Sequence, residues 1–362
     1  MSLIISIKKK YTDFCLEVDF STDSKRIGIL GASGSGKSMT LKSVAGLIKP
    51  DEGEIVFDNK ILFDSKNKTD LKPDRRRVGY LFQDYALFPT MTVEKNIRTA
   101  FTGAKRIERL NKQSGMNSEN PMFHENDTEG ILKKFGLWEQ KDHRPDELSG
   151  GQKQRTALAR MLVTNPELLL LDEPFSALDT YLREGMRLEL KKLLEEYNKT
   201  VILVSHDRDE IYQLCDYLVL LNQGRMIGCG NTEELFKHPV SVAAARLTGC
   251  KNISRIKKLG ENKILALDWG GIELVTDLKV DDDISFAGIR AHDFIPGNCE
   301  INEIPVGNAT VSRLPFEWYI TLENGLWWKV PKAMEEQNPE NLIPSCVTIP
   351  PDKIILLKEQ KT

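Results

Sequence analysis

The segment Gly31-Ala32-Ser33-Gly34-Ser35-Gly36-Lys37-Ser38 limits what this chain can fold into more than any other. It has the pattern G-x-x-x-x-G-K-S. It lies between a strand-like run, Arg26-Ile27-Gly28-Ile29-Leu30, and a helix-like one, Met39 to Leu47. A strand that feeds a glycine-rich turn and then a helix aims several backbone N–H groups, and the positive end of the helix dipole, at one place. That place suits phosphate. Gly31, Ala32, Ser33, Gly34, Ser35, Gly36, Lys37, Ser38 and Met39 are therefore read as a nucleotide-phosphate loop. Lys37 reaches the β- and γ-phosphates, and the Ser38 hydroxyl ligates Mg²⁺.

Further motifs follow in a fixed order. Gln83 ends the strand-like run Gly79-Tyr80-Leu81-Phe82. Leu148-Ser149-Gly150-Gly151-Gln152 opens the amphipathic run Lys153 to Leu162. Leu168-Leu169-Leu170-Leu171 delivers two carboxylates, Asp172 and Glu173, at the end of what reads as a buried parallel strand. Ser176-Ala177-Leu178-Asp179 comes next. Val201-Ile202-Leu203-Val204-Ser205 then delivers His206. Each feature alone has an ordinary structural explanation: a surface amide, a loop before a helix, a solvated helix start, a packed histidine. Their joint order behind a phosphate loop does not. Ser149, Gly150 and Gly151 precede a helix, so their N–H groups read as a second anion site.

This set resembles the ATP-binding cassette (ABC) family over roughly residues 1–240, with L-S-G-G-Q as its most specific element. The resemblance implies an α/β phosphate-loop NTPase fold with a helical subdomain, and ATP and Mg²⁺ as cofactors. It implies that Asp172 supports the metal, that Glu173 is the general base, and that Gln83 senses the metal and the attacking water. His206 then contacts the γ-phosphate and holds Glu173. It also implies a homodimer in which Ser149, Gly150, Gly151 and Gln152 close on the partner's nucleotide while Asp179 crosses the interface. Family members stack adenine on an aromatic of the first hairpin; here Tyr11 is the choice, with Phe14 as the alternative.

Length and charge bound the rest. The chain has 362 residues, enough for two or three domains, and is 40% hydrophobic and 28% charged. A formal net charge of -3 gives no basic excess for nucleic acid. The runs Lys8-Lys9-Lys10 and Arg75-Arg76-Arg77 read as solvated surface. The six cysteines are scattered, as reduced structural thiols in a cytosolic protein would be. No apolar stretch approaches a membrane span and no signal-like region opens the sequence. A place at the cytoplasmic face of the membrane, reached through partners, is the expectation.

Along the chain, residues 1–238 are expected to form the nucleotide-binding domain, with a helical subdomain over about 91–160. Within it Asn111 to Asp127 reads as a surface loop. Residues 239–362 carry strand-sized runs such as Ile284 to Ile289 and Trp327 to Val330, and read as a small all-β, OB-like barrel with a regulatory role. Gly288-Ile289-Arg290-Ala291-His292-Asp293 resembles a segment of the C-terminal barrels of importer ATPases. Arg75 to Pro89 is similar to the molybdate, sulfate, iron, polyamine and sugar importer group, and the short single barrel looks most like the molybdate type. Thr310-Val311-Ser312-Arg313 is the nearest match to the anion motif of molybdate-binding barrels and departs from it.

The reading that follows is an ATPase that energises an oxyanion importer, with permease subunits and, indirectly, a solute-binding protein as partners. The alternatives are an iron(III), polyamine or sugar importer, and a non-transport ABC ATPase. The apolar run Tyr85, Leu87, Phe88 and Pro89 is expected to dock the permease.

Overall fold

The computed structural model describes residues 2–102, 127–297, 301–331 and 343–359. Residues 111–126 of the expected surface loop lie outside these. The chain divides into two compact units, Met1–Thr232 and Glu233–Thr362.

The first unit is built on one sheet of eleven strands. These are β1 (Leu3–Lys10), β2 (Cys15–Thr22), β3 (Arg26–Gly31), β4 (Glu52–Phe57), β5 (Lys60–Asp64), β6 (Thr69–Asp70), β7 (Val78–Leu81), β8 (Leu168–Asp172), β9 (Thr200–Ser205), β10 (Tyr217–Asn222) and β11 (Arg225–Asn231). The helices are α1 (Lys37–Ala45), α2 (residues 93–102), α3 (Thr128–Lys134), α4 (Gly150–Leu162), α5 (Thr180–Tyr197) and α6 (Arg208–Leu214).

The spatial strand order is β6-β5-β4-β1-β2-β11-β10-β3-β9-β8-β7. Sequence pattern separates its two halves. In β1, Leu3, Ile5 and Ile7 are buried and alternate with half-buried neighbours, as an antiparallel strand with one core face requires. In β8 and β9 every residue is buried, and both run parallel between parallel neighbours. The β4–β5 hairpin turns at Asp58 and Asn59, with φ of 49° and 63°. That pair of positive φ values matches the twist of the flanking strands.

Of the two charge runs expected on the solvated surface, Lys8-Lys9-Lys10 lies at the half-exposed to exposed end of β1, where Lys9 Nζ donates to Asp51 Oδ1 at 2.7 Å, and only the arginine run departs. Arg76 is only 1% exposed. Its guanidinium donates to the carbonyls of Leu71, Ser43 and Val44 and to Asp70 Oδ1. The cation thus closes the carbonyl end of α1, where the helix dipole is negative. Run length alone could not reveal this, because neither Arg75 nor Arg77 shares the burial.

Among its described residues the second unit is made of strands, with two short 3-10 turns, beyond its first two short helices. Its strands form three antiparallel sheets, the largest of five strands, around one core that includes Ile264, Trp269, Ile289, Ile304, Trp328 and Val347. The expected runs appear as Lys263–Ala266, Ile272–Val275, Ile284–Ile289, Thr310–Arg313, Glu317–Thr321, Trp327–Pro331 and Ile355–Lys358. Arg290 ties down the two helices: its guanidinium donates to the carbonyls of Phe236 and Thr248.

Candidate active site

Strands β3, β9, β8 and β7 are consecutive parallel neighbours. Parallel strands end at the same edge, so the segments that follow them are delivered side by side. Those segments carry the phosphate loop, His206, Asp172-Glu173 and Gln83.

The loop is shaped by its glycines. Gly36, the residue before α1, has φ 100°. A Cβ on Gly31 would lie 2.4 Å from the Leu221 carbonyl oxygen and 2.5 Å from Ser35 Oγ. Lys37 is buried and folded back: Nζ donates to the carbonyls of Gly31 at 2.9 Å and Ala32 at 3.0 Å. It lies 3.7 Å from Glu173 Oε1. Burial pushes its pKa down, while the charges of Glu173 and Asp172 pull it back up. Ala32, Ser33 and Gly34 are exposed at the mouth of the loop. Met39, expected at the nucleotide, packs against the core of the sheet.

Asp172 is buried and shared. Oδ1 accepts from Ser38 Oγ at 2.7 Å, and Oδ2 accepts from the Tyr80 hydroxyl at 2.8 Å. Burial and the adjacent Asp172 charge push the Tyr80 phenol well above its usual range. Glu173 has φ 46° and donates its N–H to the Val204 carbonyl at 3.0 Å, which ties β8's exit to β9. Glu173 Oε2 lies 3.2 Å from His206 Nδ1. Lys37, Glu173 and His206 thus form a chain of contacts across three strand ends. Gln83 is exposed and, with Ser38, Asp84, Asp172 and Ser176, lines a cleft of about 500 Å³.

The signature segment starts α4 through reciprocal capping. Ser149 N–H donates to Gln152 Oε1 at 2.8 Å, and Gln152 N–H donates to Ser149 Oγ at 3.4 Å. The Ser149 N–H is therefore engaged within the chain. The expected anion site narrows to the first-turn amides of Gly150 and Gly151. Asp179 caps α5, accepting from Leu182 N–H at 2.9 Å, and is exposed. Tyr11 is 46% exposed at the β1–β2 turn, whereas Phe14 is half-buried against the sheet core. Lys9 Nζ lies 5.7 Å from the Tyr11 ring centroid.

The run after Gln83 splits. Tyr85 is 4% exposed and belongs to the interior, which removes it from the expected docking surface. Phe88 is 47% exposed, Pro89 is exposed and Leu87 is half-buried. Sequence reasoning missed what holds this run. Asn96, fully buried in α2, accepts from Phe88 N–H at 2.9 Å and donates to the Phe88, Met91 and Thr92 carbonyls. Arg160 of α4 donates to the Tyr85 carbonyl at 3.1 Å and sits 5.2 Å from the Phe88 ring. Tyr80 was also missed. The signal the sequence carries is its place three residues before Gln83; that it pairs with Leu170, two residues before Asp172, is set by the sheet.

Four parallel strand ends that bring together a phosphate loop, a paired carboxylate and a histidine define a phosphate-loop ATPase of the α/β class. Residues 17–176 match the ABC transporter family. The chain is 35% identical over 272 residues to a glucose import ATP-binding protein of Saccharolobus solfataricus, covering 75% of this chain and 71% of that one. It is 34% identical over 298 residues to a molybdate/tungstate import ATP-binding protein of Pyrococcus abyssi, covering 82% and 79%. Among solved structures it is similar to a dimeric ATP-binding cassette in a post-hydrolysis state bound to ADP and phosphate. That match has 29% identity and a TM-score of 0.50, and covers 64% of this chain and 99% of the other. The chain belongs to the ABC transporter family, as an ATP-binding and ATP-hydrolysing subunit of the importer type.

Proposed function

We propose that this chain is the energy-coupling ATPase of an oxyanion importer, working as a homodimer beneath transmembrane permease subunits at the cytoplasmic face of the membrane. An extracytoplasmic solute-binding protein would deliver the solute. The first unit, Met1–Thr232, would be the nucleotide-binding domain and the second, Glu233–Thr362, the regulatory β domain. No helix among the described residues is long and apolar enough to cross a membrane. Attachment through a permease accommodates that.

The observation that carries the catalytic reading is the Lys37–Glu173–His206 chain beside the Ser38–Asp172 pair. The Lys37 ammonium, held over two loop carbonyls, is available to the β- and γ-phosphates. Ser38, Asp172 and Gln83 offer oxygen donors, the set that suits Mg²⁺. The bound metal supplies neutralisation of phosphate charge. Glu173 accepts a proton from water aligned with the γ-phosphate. His206 holds Glu173 through Nδ1 and turns its other ring nitrogen to the phosphate. The start of α4 at Gly150 and Gly151 faces the nucleotide of the partner subunit, and Asp179 crosses to it. Tyr11 stacks on adenine. Phe88 and Pro89, fixed by Asn96 and Arg160, receive a permease helix.

Glu173→Gln should retain ATP binding and lower hydrolysis by on the order of 10²-fold or more. Near-normal turnover would remove Glu173 from the role. The oxyanion assignment is supported by the molybdate/tungstate relative, whose match covers 82% of this chain against 75% for the glucose relative. ATPase stimulation in vesicles holding the whole transporter should follow molybdate, tungstate or sulfate. Stimulation by iron(III), putrescine or glucose instead would give the solute to one of the other importer types.

A further inference from the structure

His206 is held loosely by its own packing. Its side chain is 55% exposed, and its contact with Glu173 is 3.2 Å. Its position must come from the backbone turn that carries it. That turn is fastened on both sides of the histidine. Ser205 Oγ donates to Glu210 Oε2 at 2.6 Å and accepts from Asp207 N–H at 2.9 Å. Asp207 Oδ1 accepts from the N–H groups of Asp209 and Glu210, which starts α6. Ser205 and Glu210 are both buried.

Two arginines one helical turn apart face these carboxylates from α5. Arg183 Nη1 lies 3.9 Å from Asp207 Oδ2, an ion pair rather than a hydrogen bond. Arg187 is 9% exposed, and its Nε, like that of Arg183, has no hydrogen-bond acceptor among the described residues. Burial, with the Asp207 charge, pushes the Glu210 carboxyl above its usual range; the Ser205 hydrogen bond and then the Arg187 and Arg183 charges pull it back. Arg183 has a second engagement: Nη2 donates to the Leu178 carbonyl at 3.2 Å. Leu178 immediately precedes Asp179. The same turn is fastened to the other side of the site, for Ser176 N–H and Oγ both donate to the Glu173 carbonyl, at 3.2 and 2.9 Å.

We propose that Arg183 is a positioning residue that ties the Ser176–Asp179 turn to the His206 turn. Glu173 and His206 then hang on one segment, the first through Ser176 and the second through Arg183 and Asp207. A displacement of Asp179 by a partner subunit is carried to both groups at once. This inference rests on the dimeric ATPase reading above. It adds a residue to which the motif pattern gave no role.

The test uses the full-length chain. Arg183→Met should lower kcat about tenfold while the affinity for a fluorescent ATP analogue stays within about twofold, the pattern of a lost transition-state arrangement. Asp207→Asn keeps a helix-capping oxygen and removes the charge, and should act alike. The double variant should fall no further than the worse single one, because the two side chains act as one link. Arg183→Lys should recover about threefold at most, since one ammonium cannot reach Leu178 and Asp207 in the fixed fork of a guanidinium.

Unchanged kcat in Arg183→Met overturns the proposal, as do fully additive losses. So does a joint fall of ATP affinity and melting temperature, which would mark a merely structural arginine. Wild-type chain and Glu173→Gln are run alongside. If the wild type does not hydrolyse ATP, or Glu173→Gln matches it, the parent reading fails and not the link through Arg183.

Discussion

In the first unit, polar side chains collect where parallel strands end; in the second, they are consumed one at a time by nearby backbone. Asp172, Glu173, His206 and Gln83 come from three strand exits and meet side chains from distant sequence. Asn302 shows the other habit. Its Oδ1 accepts from Val275 N–H, and its Nδ2 donates to the Val275 and Ile349 carbonyls. Asn252 likewise exchanges hydrogen bonds with both backbone groups of Trp327. An antiparallel strand alternates direction with its neighbours, so successive strand ends go to opposite edges and their side chains do not accumulate. The difference teaches that chemistry here follows strand direction as much as residue type.

The sharpest way to break this comparison is at the partner-facing helix start. Ser149→Arg places bulk and positive charge beside Gly150 and Gly151. ATP should still bind, with hydrolysis down by roughly 10²-fold, measured by phosphate release and nucleotide titration. Full activity would mean that the strand-end groups suffice within one subunit.

A large stability effect is expected at Arg76. Arg76→Met takes the guanidinium from the Leu71 and Val44 carbonyls, leaves the Ser43 carbonyl only the Gly46 N–H, and should cost about 2–4 kcal/mol, read from the urea midpoint of the first unit.

In the second unit Asn302→Ala should cost about 1–2 kcal/mol by the same reasoning, since the buried Ile349 carbonyl and the part-buried N–H and carbonyl of Val275 lose a partner. Hydrolysis by the intact chain should stay within about twofold, as distant sites behave independently. A catalytic loss would show that the second unit's local polar contacts matter to the strand-end site.

The smallest change concerns Tyr85. Its hydroxyl is buried with no hydrogen-bond partner among the described residues, and burial pushes its pKa up to about 12. Tyr85→Phe removes an unsatisfied polar atom and should leave the melting temperature unchanged or raise it, by up to about 1 kcal/mol of stability. A clear loss of stability would reveal a partner for that hydroxyl.

Much of the site could be read before any coordinates. The loop from Gly31 to Ser38, the carboxylates after Leu168–Leu171 and the histidine after Val201–Ser205 each end or follow a strand whose pattern announces burial. Their spacing needs only local geometry. Residues that act by closing distant gaps could not be read this way. Arg76 looks like one of three surface arginines until α1 ends above it. Asn96 and Arg160 look like ordinary helix polar residues until the run after Gln83 folds over them. Tyr85 fell inside an apolar run whose members divide between interior and surface.

By itself the sequence determined the phosphate loop, the order of the motifs, the buried character of β8 and β9, and the change to strand-sized runs toward the C-terminal part. These follow from backbone freedom at glycine and from hydrophobic periodicity, both of which act over a few residues. Only the tertiary structure decided which of these pieces touch. It set Ser38 on Asp172, Glu173 between Lys37 and His206, and Arg183 between Leu178 and Asp207. Those contacts join residues from separate strands and helices. The sheet order that makes them neighbours is a property of the whole core.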